Sequence, residues 1–198
     1  NIFDKNLFSI LESERKKISK LKGVPPYAIF QEYSLEEMSL KYPITIDELK
    51  NINGIGEGKA IKFGTSFVKL IDEYVKENEI DRPDDLVIKS TGSNSSLKLF
   101  IIQSIDRKLQ PIDIANSKGI ELSELITELQ TIVFSGTRLN IDYMIDEIFD
   151  EDQQQELYDY FIDSQSDELK LAVEEFDGEY EELDLKLYRI KFINDISN

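Results

Sequence analysis

The first amphipathic stretch of this 198-residue chain ends in a cluster of cations: Arg15, Lys16, Lys17, Lys20 and Lys22. Shortly after it, Tyr27 follows Pro25 and Pro26, which stiffen the backbone. Cations that follow phosphates beside a pinned aromatic ring on which bases stack are what single-stranded nucleic acid requires. Each stacked base contributes ~1–3 kcal/mol to such binding. Tyr27 also has a plainer use, packed into the fold with only its hydroxyl presented. A second candidate is the turn Gly54-Ile55-Gly56, followed by Lys59 and Lys62. Backbone N–H groups at a helix start can meet phosphate, and the two lysines would help. Against that, Glu57 places a negative charge in the turn, and the glycines could simply join two helices over a core Ile55.

Other chemistries are closed off by composition. The chain has no cysteine and no histidine, which removes disulfides, thiolate and imidazole metal sites, and cysteine or histidine catalysis. A reducing, intracellular setting fits. No Gly-x-x-x-x-Gly-Lys-Ser/Thr loop is present, so ATP hydrolysis is not expected of these residues. The carboxylate groups Asp150-Glu151-Asp152, Glu174-Glu175 and Glu181-Glu182 lack the loop spacing of a calcium site. They read as solvated helix faces, so neither a metal site nor a catalytic residue is expected. No run approaches the ~18 apolar residues of a membrane span. The chain starts at Asn1, not at a methionine, which points to a piece of a longer protein.

The net charge of -17 argues against nucleic acid until its distribution is considered. Residues 1–80 hold 12 Lys+Arg against 13 Asp+Glu, while residues 81–198 hold 11 against 27. A near-neutral half is thus joined to a half that repels a polyanion.

The elements that must position these residues are helical. Leu7, Leu11, Ile18 and Leu21 recur at helical spacing, which predicts a helix over about 5–22, ended by Gly23 and kept from resuming by Pro25-Pro26. Ser34-Leu35-Glu36-Glu37 and Thr45-Ile46-Asp47-Glu48 read as capping boxes that start two short helices. A long helix follows over about 57–78, with Ile61, Gly64, Phe67, Val68, Ile71 and Val75 on one face. Residues 81–96 read as a linker, with a weak strand signal at Leu86–Lys89. Helices are then expected over about 95–109, from Pro111, over 122–134, near 140–149, 151–163 and 166–176, and over 180–196. The fold class is all-α, with domains at 1–80 and 97–198. Leu97 to Leu129 has helix-turn-helix form, with Ala115 and Gly119 permitting close approach and the turn. Its presumed recognition helix carries Glu121, Glu124 and Glu128 where base readers carry Arg, Lys, Asn or Gln, so base reading is not expected. Arg107, Lys108 and Lys118 are the nearby residues suited to phosphate.

Leu7–Lys22, Gly23-Val24-Pro25-Pro26-Tyr27-Ala28-Ile29-Phe30, Ser34–Met38, Tyr42-Pro43-Ile44-Thr45, Ile52–Lys59 and Phe63-Gly64 together resemble an HRDC domain over about 75 residues. The segment after the linker resembles the helix-turn-helix appended to HRDC in some bacterial RecQ proteins. The resemblance implies a five-helix bundle that binds single-stranded or partly duplex DNA weakly, and it associates a tyrosine at the place of Tyr27 with that binding. It implies the C-terminal accessory region of a RecQ-like helicase, serving recombination and repair. The parent motor domain, with ATP and Mg, would lie in the rest of that protein, in the bacterial cytoplasm near the nucleoid. Two other readings stand beside it. One is a protein-interaction region whose acidic helices dock a basic protein. The other is an accessory domain of an RNase D-like exonuclease.

Overall fold

The computed structural model describes residues 2–82 and 92–198, the side chains of 92–95 excepted. Among these residues there are twelve α-helices and no strand. They fall into two compact units, residues 1–90 with Ser197 and residues 91–196 with Asn198. The strand signal at Leu86–Lys89 lies outside the described residues.

The first unit contains α1 (Lys5–Lys22), α2 (Pro26–Ile29), α3 (Glu32–Lys41), α4 (Ile46–Leu49) and α5 (Glu57–Glu77). Its core is apolar and continuous, with Leu7, Leu11, Phe30, Leu35, Leu49 and Phe67 all essentially inaccessible. Phe30 sits at the centre, edge-on to Phe63 at 6.2 Å and to Phe67 at 4.9 Å between ring centroids. Edge-to-face aromatic pairs of this kind stabilise beyond the area they bury. On α5 the buried face differs from the expected one. Ile61 is 63% exposed, whereas Lys59 and Phe63 are inside. The core is supplied by Ala60, Phe63, Gly64, Phe67, Val68 and Ile71.

Local signals explain most element ends. Asp4 caps α1 by accepting from the Asn6 and Leu7 amides, both at 3.0 Å. Pro26 does not merely block α1; it opens the single turn α2 from the first helical position, where its missing N–H costs nothing. The expected capping box at Ser34 is absent. α3 starts earlier, and the buried Ser34 hydroxyl donates instead to the Asn53 carbonyl at 2.7 Å. Thr45 does cap α4, accepting from the Glu48 amide at 3.1 Å, while the Glu48 carboxylate takes the Ile44 amide and Arg82.

Asp4 also ties the bundle across its long-range contacts. Its carboxylate accepts from the Tyr42 hydroxyl at 3.2 Å and the Tyr74 hydroxyl at 2.9 Å. Burial works to raise its pKa, but the bonds from Leu7, Tyr74, Tyr42 and Asn6 outweigh it and hold the carboxyl below 3.8. Burial and the same carboxylate push Tyr74 up to about 12.

The second unit contains α6 (Gly92–Asp106), α7 (Pro111–Lys118), α8 (Leu122–Phe134), α9 (Asp142–Ile148), α10 (Glu151–Asp163), α11 (Leu169–Glu175) and α12 (Glu182–Ser197). α6 begins inside the stretch read as linker, at Gly92. α12 is buried on most sides, through Leu185, Leu187, Tyr188, Ile190, Phe192 and Ile193. Its Asn194 side chain satisfies both the N–H and the C=O of Leu139, at 2.9 and 2.7 Å. An aromatic cluster joins α12 to α10 through Phe161, Tyr188 and Phe192.

Two outcomes test these contacts. A Cβ at Gly64 would collide with Leu49 Cδ2 across the α4–α5 contact. Gly64→Ala should therefore lower unfolding free energy by about 1–3 kcal/mol in urea titrations, despite its better helix propensity. Because the folded pKa of Asp4 is depressed, its stabilisation is present above the ordinary carboxylate range and lost as pH falls through the folded value. Asp4→Asn should be destabilised near neutral pH and converge on the parent protein below pH 3.8; a gap that persists into acid would contradict this.

Candidate nucleic-acid interface

The lysines of α1 leave the bundle because the helix turns them there. Leu7, Leu11 and Ser19 face inward, so Lys16, Lys17 and Lys20 emerge on the opposite side together with Ser13. Ser13, Lys16, Lys17, Lys20 and Leu21 line a shallow depression of 370 Å³. A second depression of 420 Å³ lies between α1 and α5, lined by Ile18, Leu21, Lys22, Phe63, Ser66 and Lys69, with Lys62 and Thr65 completing the wall. Leu21 belongs to both and is 76% exposed. Among the described residues, no carboxylate lines either depression. Lys62 and Lys69 share the outer face of α5 because a spacing of seven residues returns to the same side of a helix. Burial and the neighbouring Lys22 charge hold the Lys62 ammonium below 10.5. The Lys62 ammonium already donates to the Ser197 carbonyl at 2.5 Å.

Three of the sequence candidates do not reach this face. Tyr27 is only 5% exposed, so its ring belongs to the bundle and offers no stacking platform. Lys59 is 1% exposed, because the first turn of α5 directs it inward. The Arg15 guanidinium donates to the Phe30 carbonyl at 2.9 Å, which commits it to the contact between α1 and the loop after α2.

Gly54 and Gly56 serve the turn. Gly54 has φ 81, and a Cβ there would meet Tyr33 and Ser34. The Asn53 amide donates to the Glu37 carboxylate, and the Ile55 amide to the Ile52 carbonyl at 3.0 Å. Lys50 is bridged to Asp47 and Glu57 at 3.3 and 3.4 Å. Amides already bonded and carboxylates nearby make this turn unsuited to phosphate. Sequence reasoning missed Leu21, Phe63, Thr65, Ser66 and Lys69. The repeat of Lys62 at Lys69 was a usable signal for the last of these, but nothing in a sequence marks Leu21 as the leucine left outside.

In the second unit, α6, α7 and α8 form the helix-turn-helix. Pro111 opens α7, and Gly119 caps it at φ 63. Ile114, Ala115, Leu125 and Leu129 are buried where the helices meet. Lys118 Nζ lies 4.3 Å from the centroid of Phe100, which places this cation over a ring. The outer side of α8 shows Glu121, Ser123, Glu124 and Thr127. Lys186 of α12 donates to the Thr127 hydroxyl at 2.6 Å, so α12 reaches the edge of the would-be reading face. Among the described residues, no group of His, Cys, Asp or Glu is placed to hold a metal ion, and no helix is long and apolar enough to cross a membrane.

Two family models match parts of the chain. Residues 4–71 match the HRDC domain family, and residues 95–145 match the RecQ-1-like, helix-turn-helix domain. The ATP-dependent DNA helicase RecQ of Bacillus subtilis (strain 168) is 43% identical over 70 residues, covering 35% of this chain and 12% of the relative. The ATP-dependent DNA helicase RecQ of Haemophilus influenzae is 39% identical over 72 residues, covering 36% and 12%. The ATP-dependent DNA helicase Q-like 4B of Arabidopsis thaliana is 34% identical over 86 residues, covering 40% and 8%. The matched part of this chain thus spans about an eighth of the two bacterial relatives.

The position of Tyr27 gives a direct test. Tyr27→Ala should cost about 3 kcal/mol in urea unfolding, as truncation of a buried aromatic does. Tyr27→Phe should leave binding of a labelled single-stranded oligonucleotide unchanged. A Tyr27→Ala protein of full stability that has lost binding would return the ring to the interface.

Proposed function

From an HRDC domain followed by a RecQ-1-like helix-turn-helix domain, we infer that this chain is an accessory region of a RecQ-type, ATP-dependent DNA helicase. The motor belongs to the remainder of the parent protein, and ATP and Mg act there. The part in hand supplies weak, sequence-independent contact with single-stranded or partly duplex DNA.

The observation that carries this reading is the lysine face of α1 and α5. Lys16, Lys17, Lys20, Lys22 and Lys69 open to solvent around two depressions that no carboxylate lines. In a chain of net charge -17, such segregation gives a polyanion a place to bind. Phosphate contact by lysine is a point-charge interaction without base readout, which fits weak and salt-sensitive binding. The acidic exposure of α8 argues that the helix-turn-helix contributes packing and not base reading.

The alternative of a region that docks a basic protein draws on the acidity of the second unit alone. Its carboxylates include helix caps such as Asp150, which accepts from the Gln153 amide at 2.8 Å. The exonuclease alternative has less support, because the relatives given above are named as helicases and the second domain matches a RecQ-1-like model.

Fluorescence anisotropy with a labelled single-stranded oligonucleotide tests the reading on the whole chain. Affinity should fall as salt rises, with a log–log slope near 0.7 per phosphate contact. Replacing Lys16, Lys17, Lys20 and Lys22 together by alanine should flatten the slope by roughly two to three units. No binding at low salt, or a slope unchanged in the fourfold variant, would overturn the assignment.

A further inference from the structure

We propose that the depression between α1 and α5 seats an unpaired nucleobase, with the adjoining phosphates held by Lys22 and Lys69. The proposal rests on the nucleic-acid reading above and specifies what that face accepts: a strand whose base can leave the stack, not any polyanion.

Ile18 and Leu21 give the depression apolar lining that a base can reach, while Phe63 is almost fully buried with Lys62 Nζ 5.3 Å from its ring centroid; Lys22, Lys62 and Lys69 supply the positive charge. That combination matches a nucleotide, whose base is flat and weakly hydrated on its faces and whose phosphate is charged. Its volume of 420 Å³ is that of a small-ligand site. Thr65 and Ser66 place hydroxyls on the α5 wall, where the polar edge of a base needs a donor or acceptor. The absence of any lining carboxylate disfavours a basic peptide as occupant.

Leu21 lines both depressions. It is a leucine in the last turn of α1, 76% exposed, with lysines on either side of it. What sets it apart from other exposed apolar side chains such as Ile61 is its place between two lysine-lined depressions. As the ridge shared by the two depressions it can contact bases on both sides, while Lys16, Lys17 and Lys20 carry the backbone past it. Bases in duplex DNA are paired and stacked, so they cannot enter a depression between two helices without being extruded. The geometry therefore favours single strands.

The test compares two fluorescent oligonucleotides of equal length on the whole chain. One is an ordinary oligothymidylate; the other is an abasic strand with the same phosphates and no bases. The ordinary strand should bind on the order of fivefold tighter, the effect of covering about 40 Å² of apolar base surface. Leu21→Ala should erase that preference while leaving abasic binding unchanged, and it should not disturb folding because the side chain is exposed. Lys22→Ala should weaken both strands by the same factor. Equal affinity for the two strands overturns the base site and leaves the phosphate face standing. A preference that survives Leu21→Ala also overturns it, since the bases would then be read elsewhere. Failure of both strands to bind overturns the nucleic-acid reading itself.

Discussion

The edge-on packing of Phe30 against Phe63 and Phe67 decides what the first unit can do. Phe30 lies in the loop after α2, and its insertion fixes the rotation of α5 about its own axis. Once Phe63 and Phe67 face inward, Lys62, Lys69 and Thr65 must face outward, because the helix allows no other arrangement. The same loop fixes α1, since the Phe30 carbonyl accepts from Arg15. With Arg15 held, the neighbouring Lys16 and Lys17 are turned to solvent. The cationic face is thus a by-product of core packing. It needs no loop to order it, and it exists before any ligand arrives.

Charge imposes the second constraint. A chain of net -17 has a mean field that repels nucleic acid, and at ~0.15 M salt that field reaches only about 8 Å from its sources. Local arrangement therefore outweighs the total. The acidic half spends many of its carboxylates internally. Asp150 caps α10, Asp142 and Asp195 bracket Lys191 at 3.0 and 2.6 Å, and Glu156 accepts from Tyr180 at 3.2 Å. Burial and the surrounding carboxylates push the Tyr180 hydroxyl up to about 12, which keeps it a donor at any physiological pH. The lysines of α1, by contrast, make no such bonds with the residues that line their depression.

Much of the fold was legible because helical periodicity and punctuation are local. α1, α8 and α10 run over the residues that their patterns indicate, and Thr45, Pro111 and Gly119 act where their chemistry places them. The misreadings share one physical origin. Helical spacing puts Ile61 on the face of Phe67 and leaves Lys59 for phosphate, yet Ile61 is exposed and Lys59 buried. Ser34 reads as a cap, but a buried hydroxyl needed by Asn53 serves the turn at Gly54 instead. Tyr27 carries the right chemistry for stacking and the wrong orientation, because α2 turns it into the bundle. Tertiary contacts override local preference at each of these positions, and one sequence does not disclose them.

The helix-turn-helix shows the same lesson in reverse. Its geometry is complete: Ala115 at the crossing, Gly119 in the turn, and Leu125 and Leu129 beneath α8. A reading helix must also present donors to bases and cations to phosphates, and it must stand clear of its own domain. α8 presents Glu121 and Glu124, and Lys186 of α12 has taken the hydroxyl of Thr127. Arg189 of α12 reaches Gln130 on the same helix at 2.5 Å and lies 5.7 Å from the Phe134 ring. Lys186 and Arg189 thus fasten α12 to α8. α8 offers a strand carboxylates and an already bonded hydroxyl, whereas the first unit offers it the exposed lysines of α1 and α5.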